Sequence, residues 1–239
     1  MLVTTKGIVL SKLKYRDNDL IVKCYTEQLG VVNVLLRHVL GSKKGNAKVA
    51  YFQLLSQVEL VIEYKNNRSL QAIKEVKTSY LYSTIHSHVY KGAIAMFIAE
   101  ILTSVLQEEE QNNELFNYLE ASLQWLDTNS EYANFHLLFL LKLTKFLGFY
   151  PDGNVADFEC FNLLEGKFVA KTDKIDVVSG ENIVVLKQLL GTTFDAINLI
   201  KINAKQRQSF LNIILRYFEL HLGSFKQPRS LLIFNQVFN

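Results

Sequence analysis

Along its first third the chain alternates. Leu20, Val22 and Cys24 are interleaved with Ile21, Lys23 and Tyr25; Val32, Val34 and Leu36 with Asn33 and Leu35; Val58, Leu60, Ile62 and Tyr64 with Glu59, Val61 and Glu63. A period of two carried by β-branched and aromatic residues predicts half-buried strands. Turn-forming stretches at residues 16–19, 28–30, 41–45 and 65–68 separate the runs. With residues 5–13 before the first turn and 70–76 after the last, the pattern predicts about five strands, the content of a small barrel. An OB-type barrel is the first choice; an SH3-like barrel carries the same strand signature.

After Tyr80 the period becomes helical. Ile94, Phe97, Ile98, Ile101, Leu102 and Val105 form one stripe over residues 91–106, with the acidic run Glu108, Glu109, Glu110 just beyond. Leu115, Leu119, Leu123 and Leu126 form a second, preceded by Asn112 and Asn113 as N-caps. Residues 132–147 are apolar nearly all round, as in the central helix of a bundle, and Gly148 and Pro151 end them. Residues 153–180 lose the helical period, and residues 160–169 read as a hairpin turned at Glu165, Gly166 and Lys167. Helices return over residues 182–190 and 204–222, the latter with Phe210, Ile213, Ile214, Tyr217 and Leu220 on its buried side. The predicted class is α+β: a five-stranded OB-type β-barrel over residues 1–80, then a mostly α-helical domain over 81–239. A short metal-free β-hairpin is inserted at about 153–180.

Composition adds little until it is divided. A chain of 239 residues, 49% hydrophobic and 21% charged, can bury its own core. Two cysteines, Cys24 and Cys160, are too few for a disulfide framework and point to a reducing cytoplasm. Residues 1–16 hold no apolar stretch of signal-peptide length, and the richest apolar run, residues 135–141, contains His136 and ends at Lys142, so neither a leader nor a membrane span is expected. The net charge of +3, however, is a sum of unlike parts. Residues 1–80 hold 13 Lys/Arg against 6 Asp/Glu, and residues 81–239 hold 13 against 17. That asymmetry predicts a polyanion-binding module joined to a different one; ordinary surface charge is the alternative.

Catalytic chemistry is hard to find. His86 and His88 are a close pair without a third ligand nearby, and a polar turn before a helix explains them. Metalloprotease, nucleophile-elbow, P-loop and dinucleotide motifs do not occur. Glu108, Glu109 and Glu110 would point in different directions on a helix, and Cys160 has no Cys-x-x-Cys partner. The basic module is more informative. Lys6, Lys12, Lys14, Arg16 and Lys23 lie on or between the first two strands, and Arg37, Lys43, Lys44 and Lys48 surround the third strand and the following loop. Such cations can replace counterions along a phosphate backbone, and Tyr15, Tyr25 and Tyr51 are candidates for stacking bases, with barrel packing as the alternative. Residues 41–48 read as a flexible, glycine-flanked basic loop suited to backbone contact, or as a solvated hairpin tip.

Taken in order, GIVL at residues 7–10, YRDNDLIV at 15–22, TEQLG at 26–30 and YFQL at 51–54 resemble the amino-terminal OB domain of the bacterial recombination mediator family RecO. LTKFLGFYP at residues 143–151 resembles a helix end of the same family, so the resemblance covers most of the chain. It implies a non-enzymatic protein that binds single- and double-stranded DNA and anneals complementary strands. The implied partners are RecR, the acidic C-terminal tail of the single-strand-binding protein and, indirectly, RecA, in the cytoplasm and at the nucleoid. Lys142, Lys145, Arg207 and Arg216 are candidates for the tail by charge alone. Many members carry a four-cysteine zinc site after the Gly-x-x-Pro turn; here only Cys160 stands there, so no cofactor is expected. Phe158, Phe161, Leu163, Leu164 and Phe168 are placed to pack that hairpin without metal. Two other readings compete: a barrel adaptor that binds acidic protein tails without engaging DNA, and a hydrolase or nuclease lacking a recognisable motif.

Overall fold

The computed structural model describes residues 1–41, 43–106, 110–152, 158–170 and 176–238, apart from the side chains of Lys44 and Asn46. The chain forms two compact units, Met1–Thr128 with Pro228–Ser230, and Asn129–Gln227 with Leu231–Asn239.

In the first unit, β1 (Leu2–Tyr15), β2 (Asp19–Thr26), β3 (Gly30–Leu36), β4 (Gln57–Glu63) and β5 (Gln71–Tyr80) close into a barrel of order β1-β2-β3-β5-β4. β3 and β5 meet in parallel at Val34 and Gln71, and the other pairs are antiparallel. This is the Greek-key arrangement of an OB barrel, which decides against the SH3-like alternative. β1 serves two neighbours: Leu2 to Ile8 pair with β4 and Gly7 to Tyr15 with β2, with a register shift between Val9 and Ser11. Such an irregularity bends a strand and raises its twist, which lets it turn the barrel corner.

The alternating residues fill the barrel: Val9, Leu20, Val22, Cys24, Val32, Val34, Leu60 and Ile62 share one buried cluster. Burial pushes the Cys24 thiol up to about 12, so it is an inert packing group. Ile8 and Leu10, on the opposite face of β1 from Val9, are equally buried. The helix α2 (Val89–Val105) packs against β1, and Thr103 Oγ1 donates to the Leu10 carbonyl at 3.2 Å. A strand covered on both faces reads as a continuous apolar run, as GIVL does. Before α3 (Asn113–Thr128), the Asn112 side chain accepts from the Leu115 N–H at 2.9 Å, the capping expected from the sequence.

The basic segment after β3 departs from expectation. Instead of a flexible loop it is a helix, α1 (Lys43–Val49), continued by a 3-10 turn, Ala50–Phe52. Gly45 is buried, and a Cβ there would run into the backbone of Val39. That glycine permits close packing and does not mark flexibility.

The second unit contains α4 (Phe135–Phe146), α5 (Glu181–Leu190), α6 (Ala204–His221) and α7 (Leu231–Phe238). Its small sheet has β6 (Cys160–Asn162), β7 (Lys167–Val169) and β8 (Val177–Val178), in the order β7-β6-β8. The expected hairpin is β6 and β7, with Gly166 at φ +66° in its turn; β8, unexpected, adds a third strand by pairing Val178 with Phe161. α4 is buried nearly all round, with Lys145 in its last turn exposed, and α6 starts with a reciprocal capping box between Asn203 and Gln206. α7 is likewise an addition to the expected elements; it seats Phe234 in the unit while Leu232 and Ile233 stay exposed.

His136 on α4 is buried, its Nδ1 finds no partner among the described residues, and its ring centre lies 4.8 Å from that of Phe234. Burial, assisted by the Arg207 charge, pushes its pKa down from 6.5 to about 3. Between those values the unfolded chain binds a proton that the folded chain refuses. His136 therefore contributes full stability above pH 6.5, and that contribution falls by about 1.4 kcal/mol per pH unit on acidification. Urea midpoints measured at pH 7 and pH 4 should differ less in His136→Leu than in the parent; an equal difference would show that the imidazole is not the acid-sensitive group.

Candidate nucleic-acid interface

Unpaired cations line the β1–β2 hairpin end and the segment that follows β3. Lys12 and Lys14 lie opposite Val22 and Leu20 across the β1–β2 ladder, and Arg16 occupies the turn beyond it. The turn is tied to the segment after β3. The Asp19 carboxylate accepts from the His38 N–H at 2.9 Å, and the Leu40 N–H donates to the Asn18 carbonyl at 3.0 Å. Arg16 and His38 both hold the left-handed backbone conformation, at φ +53°, which non-glycine residues adopt at a cost. Arg37 is thereby fixed beside the hairpin tip, and Val39, packed in the barrel core, leads into α1 with Lys43 and Lys48. Among the described residues, Lys12, Lys14, Arg16, Arg37, Lys43 and Lys48 form no ion pair. The side chain of Lys44 lies outside the described residues.

Three sequence candidates are engaged elsewhere. The Lys6 ammonium meets the Glu120 carboxylate at 3.0 Å, and that hydrogen bond holds its pKa above the ordinary lysine value. Lys23 donates to the carbonyls of Thr103 and Leu106 at 2.9 and 2.8 Å, and its pKa is lowered by burial. It satisfies carbonyls that the end of α2 leaves without partners. Tyr25 is only 3% exposed, its hydroxyl reaches the Asn112 carbonyl at 3.3 Å, and its ring packs beside Phe116. Burial raises its pKa to about 12. Its ring offers no face to a base. Tyr15 carries the Arg16 guanidinium 5.2 Å above its ring, and Tyr51 is 38% exposed.

Sequence reasoning missed the Asp19 clamp, whose signal was a carboxylate at the first position of a strand that continues with Leu20, Ile21 and Val22. It also missed Arg68, an exposed cation in the β4–β5 turn held by its carbonyl to Gln71 Nε2 at 2.6 Å. Three acidic residues that follow the barrel are engaged within the first unit. Glu120 pairs with Lys6, Glu100 accepts from the Arg229 and Ser230 N–H groups, and Asp127 is buried.

In the second unit, Arg207 donates to Asn134 Oδ1 and the Ile202 carbonyl, and Arg216 forks onto Asp176 and reaches Glu219. Both guanidinium groups are committed within the unit, while Lys145 is exposed and Lys142 half-buried. A four-cysteine zinc site cannot be assembled, because the chain has only Cys24 and Cys160 and both are buried. Among the described residues no three His, Cys, Asp or Glu side chains gather as metal ligands. Phe161, Leu163 and Phe168 are buried around the small sheet, whereas Phe158 and Leu164, expected to join them, are exposed. Among the described residues no helix is long and apolar enough to cross a membrane.

The chain matches two family models, Recombination protein O N terminal over residues 1–82 and Recombination protein O C terminal over residues 86–231. It is 44% identical over 238 residues to the DNA repair protein RecO of Christiangramia forsetii. It is 40% and 39% identical to the proteins of the same name from Flavobacterium johnsoniae and Flavobacterium psychrophilum. Each of these alignments covers the whole of both chains.

Proposed function

The chain belongs to the RecO family of DNA repair proteins, and from that premise we propose that it is a recombination mediator that binds single- and double-stranded DNA and anneals complementary strands. It does so without catalysing a covalent step, and in the cytoplasm it works with RecR and the single-strand-binding protein to load RecA. The observation that supports this reading is the set of unpaired cations at the β1–β2 hairpin end of the OB barrel and along the segment after β3: Lys12, Lys14, Arg16, Arg37, Lys43 and Lys48. Annealing brings two polyanions together without reading their sequence, and a cationic surface lowers their repulsion while releasing counterions. Lys142 and Lys145 remain the charge candidates for an acidic tail in the second unit.

The test is fluorescence anisotropy with labelled single strands over a salt series. Replacing Arg16, Arg37, Lys43 and Lys48 together with alanine should weaken binding similarly for unrelated sequences. The slope of log K against log salt should flatten by about 3, at roughly 0.7 for each phosphate that is no longer neutralised. Lys6→Gln, which removes a cation already paired with Glu120, should leave the slope unchanged. Equal affinity and slope in the fourfold variant would refute the assignment; binding of acidic peptides without DNA would favour the adaptor. Annealing of complementary strands coated with single-strand-binding protein then tests the mediator role itself.

A further inference from the structure

A second feature of the first unit lies beside α1. A cleft of about 450 Å³ opens between the 3-10 turn and the ends of β4 and β5, lined by Tyr51, Thr78, Tyr80, Leu81, Tyr82 and His86 among others. Its floor is fixed. Tyr82 donates its hydroxyl to the Leu55 carbonyl at 3.0 Å, and His86 Nε2 lies 2.9 Å from the Leu54 carbonyl. The rings stand edge to face, Tyr80 against Tyr82 at 5.5 Å and Tyr82 against His86 at 5.4 Å. Its rim is uncovered: Tyr51 is 38% exposed and Leu81 81% exposed. The helix that leads directly into Tyr51 contains Lys43 and Lys48 and no acidic residue.

We propose that this cleft receives an unstacked base of single-stranded DNA, whose neighbouring phosphates run along α1. The inference rests on the DNA-binding reading and deepens it by naming which part of the nucleic acid is held and where. Aromatic faces next to cations are what sequence-tolerant single-strand binding requires, since every base has a π-face and every nucleotide a phosphate. An acidic peptide is the poorer occupant, because the lysines lie beside the cleft and not in its wall. A base paired and stacked in a duplex cannot enter. The cleft would therefore favour unpaired strands, while the barrel-end cations hold either form, and a strand would leave the cleft as it pairs with its complement.

The experiment compares an oligothymidine with an oligomer of the same length and backbone charge in which most residues are abasic. The intact protein should bind the base-bearing strand tighter by about five- to a hundredfold, the range one stacked base supplies. Tyr51→Ala should cut that ratio at least about fivefold, the low end of the same range. Tyr51→Phe, which keeps the ring, should preserve the ratio. Lys43→Ala with Lys48→Ala should weaken both strands alike and also preserve it. Equal binding of the two strands, or a ratio unchanged in folded Tyr51→Ala, overturns the cleft assignment and leaves the DNA-binding reading standing. Failure to bind either strand overturns both.

Discussion

Replacing Asp127 with alanine is expected to destabilise the first unit by roughly 3–5 kcal/mol, the cost typical of stripping a partner from a buried charge network. Asp127 lies in the last turn of α3 and is 2% exposed. Its carboxylate accepts the N–H groups of Ser83, Thr84 and Ile85 at 2.9, 2.8 and 3.0 Å, together with the Thr84 hydroxyl. Its carbonyl accepts from the buried Lys91 ammonium at 2.8 Å, which also reaches Thr84 Oγ1. Alanine leaves three backbone donors without the acceptor they have now, and takes from Lys91 the carboxylate that offsets part of its desolvation. Burial alone would raise the Asp127 pKa, but the donated hydrogen bonds outweigh it and hold the group below the ordinary carboxylate value. Its contribution is therefore present above about pH 4 and lost as pH falls through the lower folded pKa. Asp127→Asn keeps an acceptor oxygen and should lose less. Trp125, the one tryptophan of the chain, lies two residues away and reports this transition in a urea titration. A midpoint within error of the parent would mean that residues 83–85 are held by other contacts. Because Tyr82 and His86 flank this clamped segment, the variant should also weaken the preference for base-bearing strands.

How much of this was legible depends on how local each cause is. β2 and β3 read directly because one face of each strand meets the barrel core, so a period of two survives in Leu20, Val22, Cys24 and in Val32, Val34, Leu36. α1 did not. Seven residues with a glycine at Gly45 have little helix-forming tendency of their own, and the helix stands on its packing against Val39, which a local window does not contain. β8 is two residues long, too short for any period to appear, and its place is set by Phe161. The candidate site divides in the same way. The charge split announced a basic barrel, but which cations stay unpaired was decided at long range. Lys6 finds Glu120 across 114 residues and Lys23 finds Thr103 across 80. Tyr25 looked like Tyr51 in sequence; the difference is that Phe116 and Asn112 cover one and not the other.

The departure in the cysteines leads to the second large effect. Where a metal would staple a small sheet, Phe161 does the equivalent by packing: it is 1% exposed, with its ring 5.0 Å from Phe168 and 5.8 Å from Tyr217. Tyr217 is itself anchored, its hydroxyl donating to the Phe149 carbonyl at 2.7 Å, and His221 holds the Leu163 carbonyl at 2.8 Å while stacking on Phe149. Phe161→Ala removes the ring on which β7 and α6 both pack and should cost about 3–5 kcal/mol. Phe161→Leu, which keeps most of the volume, should cost about 1.5 kcal/mol or less. Thermal unfolding and limited proteolysis of the β6–β7 turn would read both, with cleavage accelerated far more in the alanine variant. Chelators supply the complementary measurement. If aromatic packing holds the sheet, a chelating agent leaves the melting temperature of the parent unchanged and the purified protein carries no stoichiometric zinc. Zinc at one equivalent, lost on chelation together with a fall in melting temperature, would mean that Cys160 has found ligands outside the described residues and that the aromatic cluster is secondary to them.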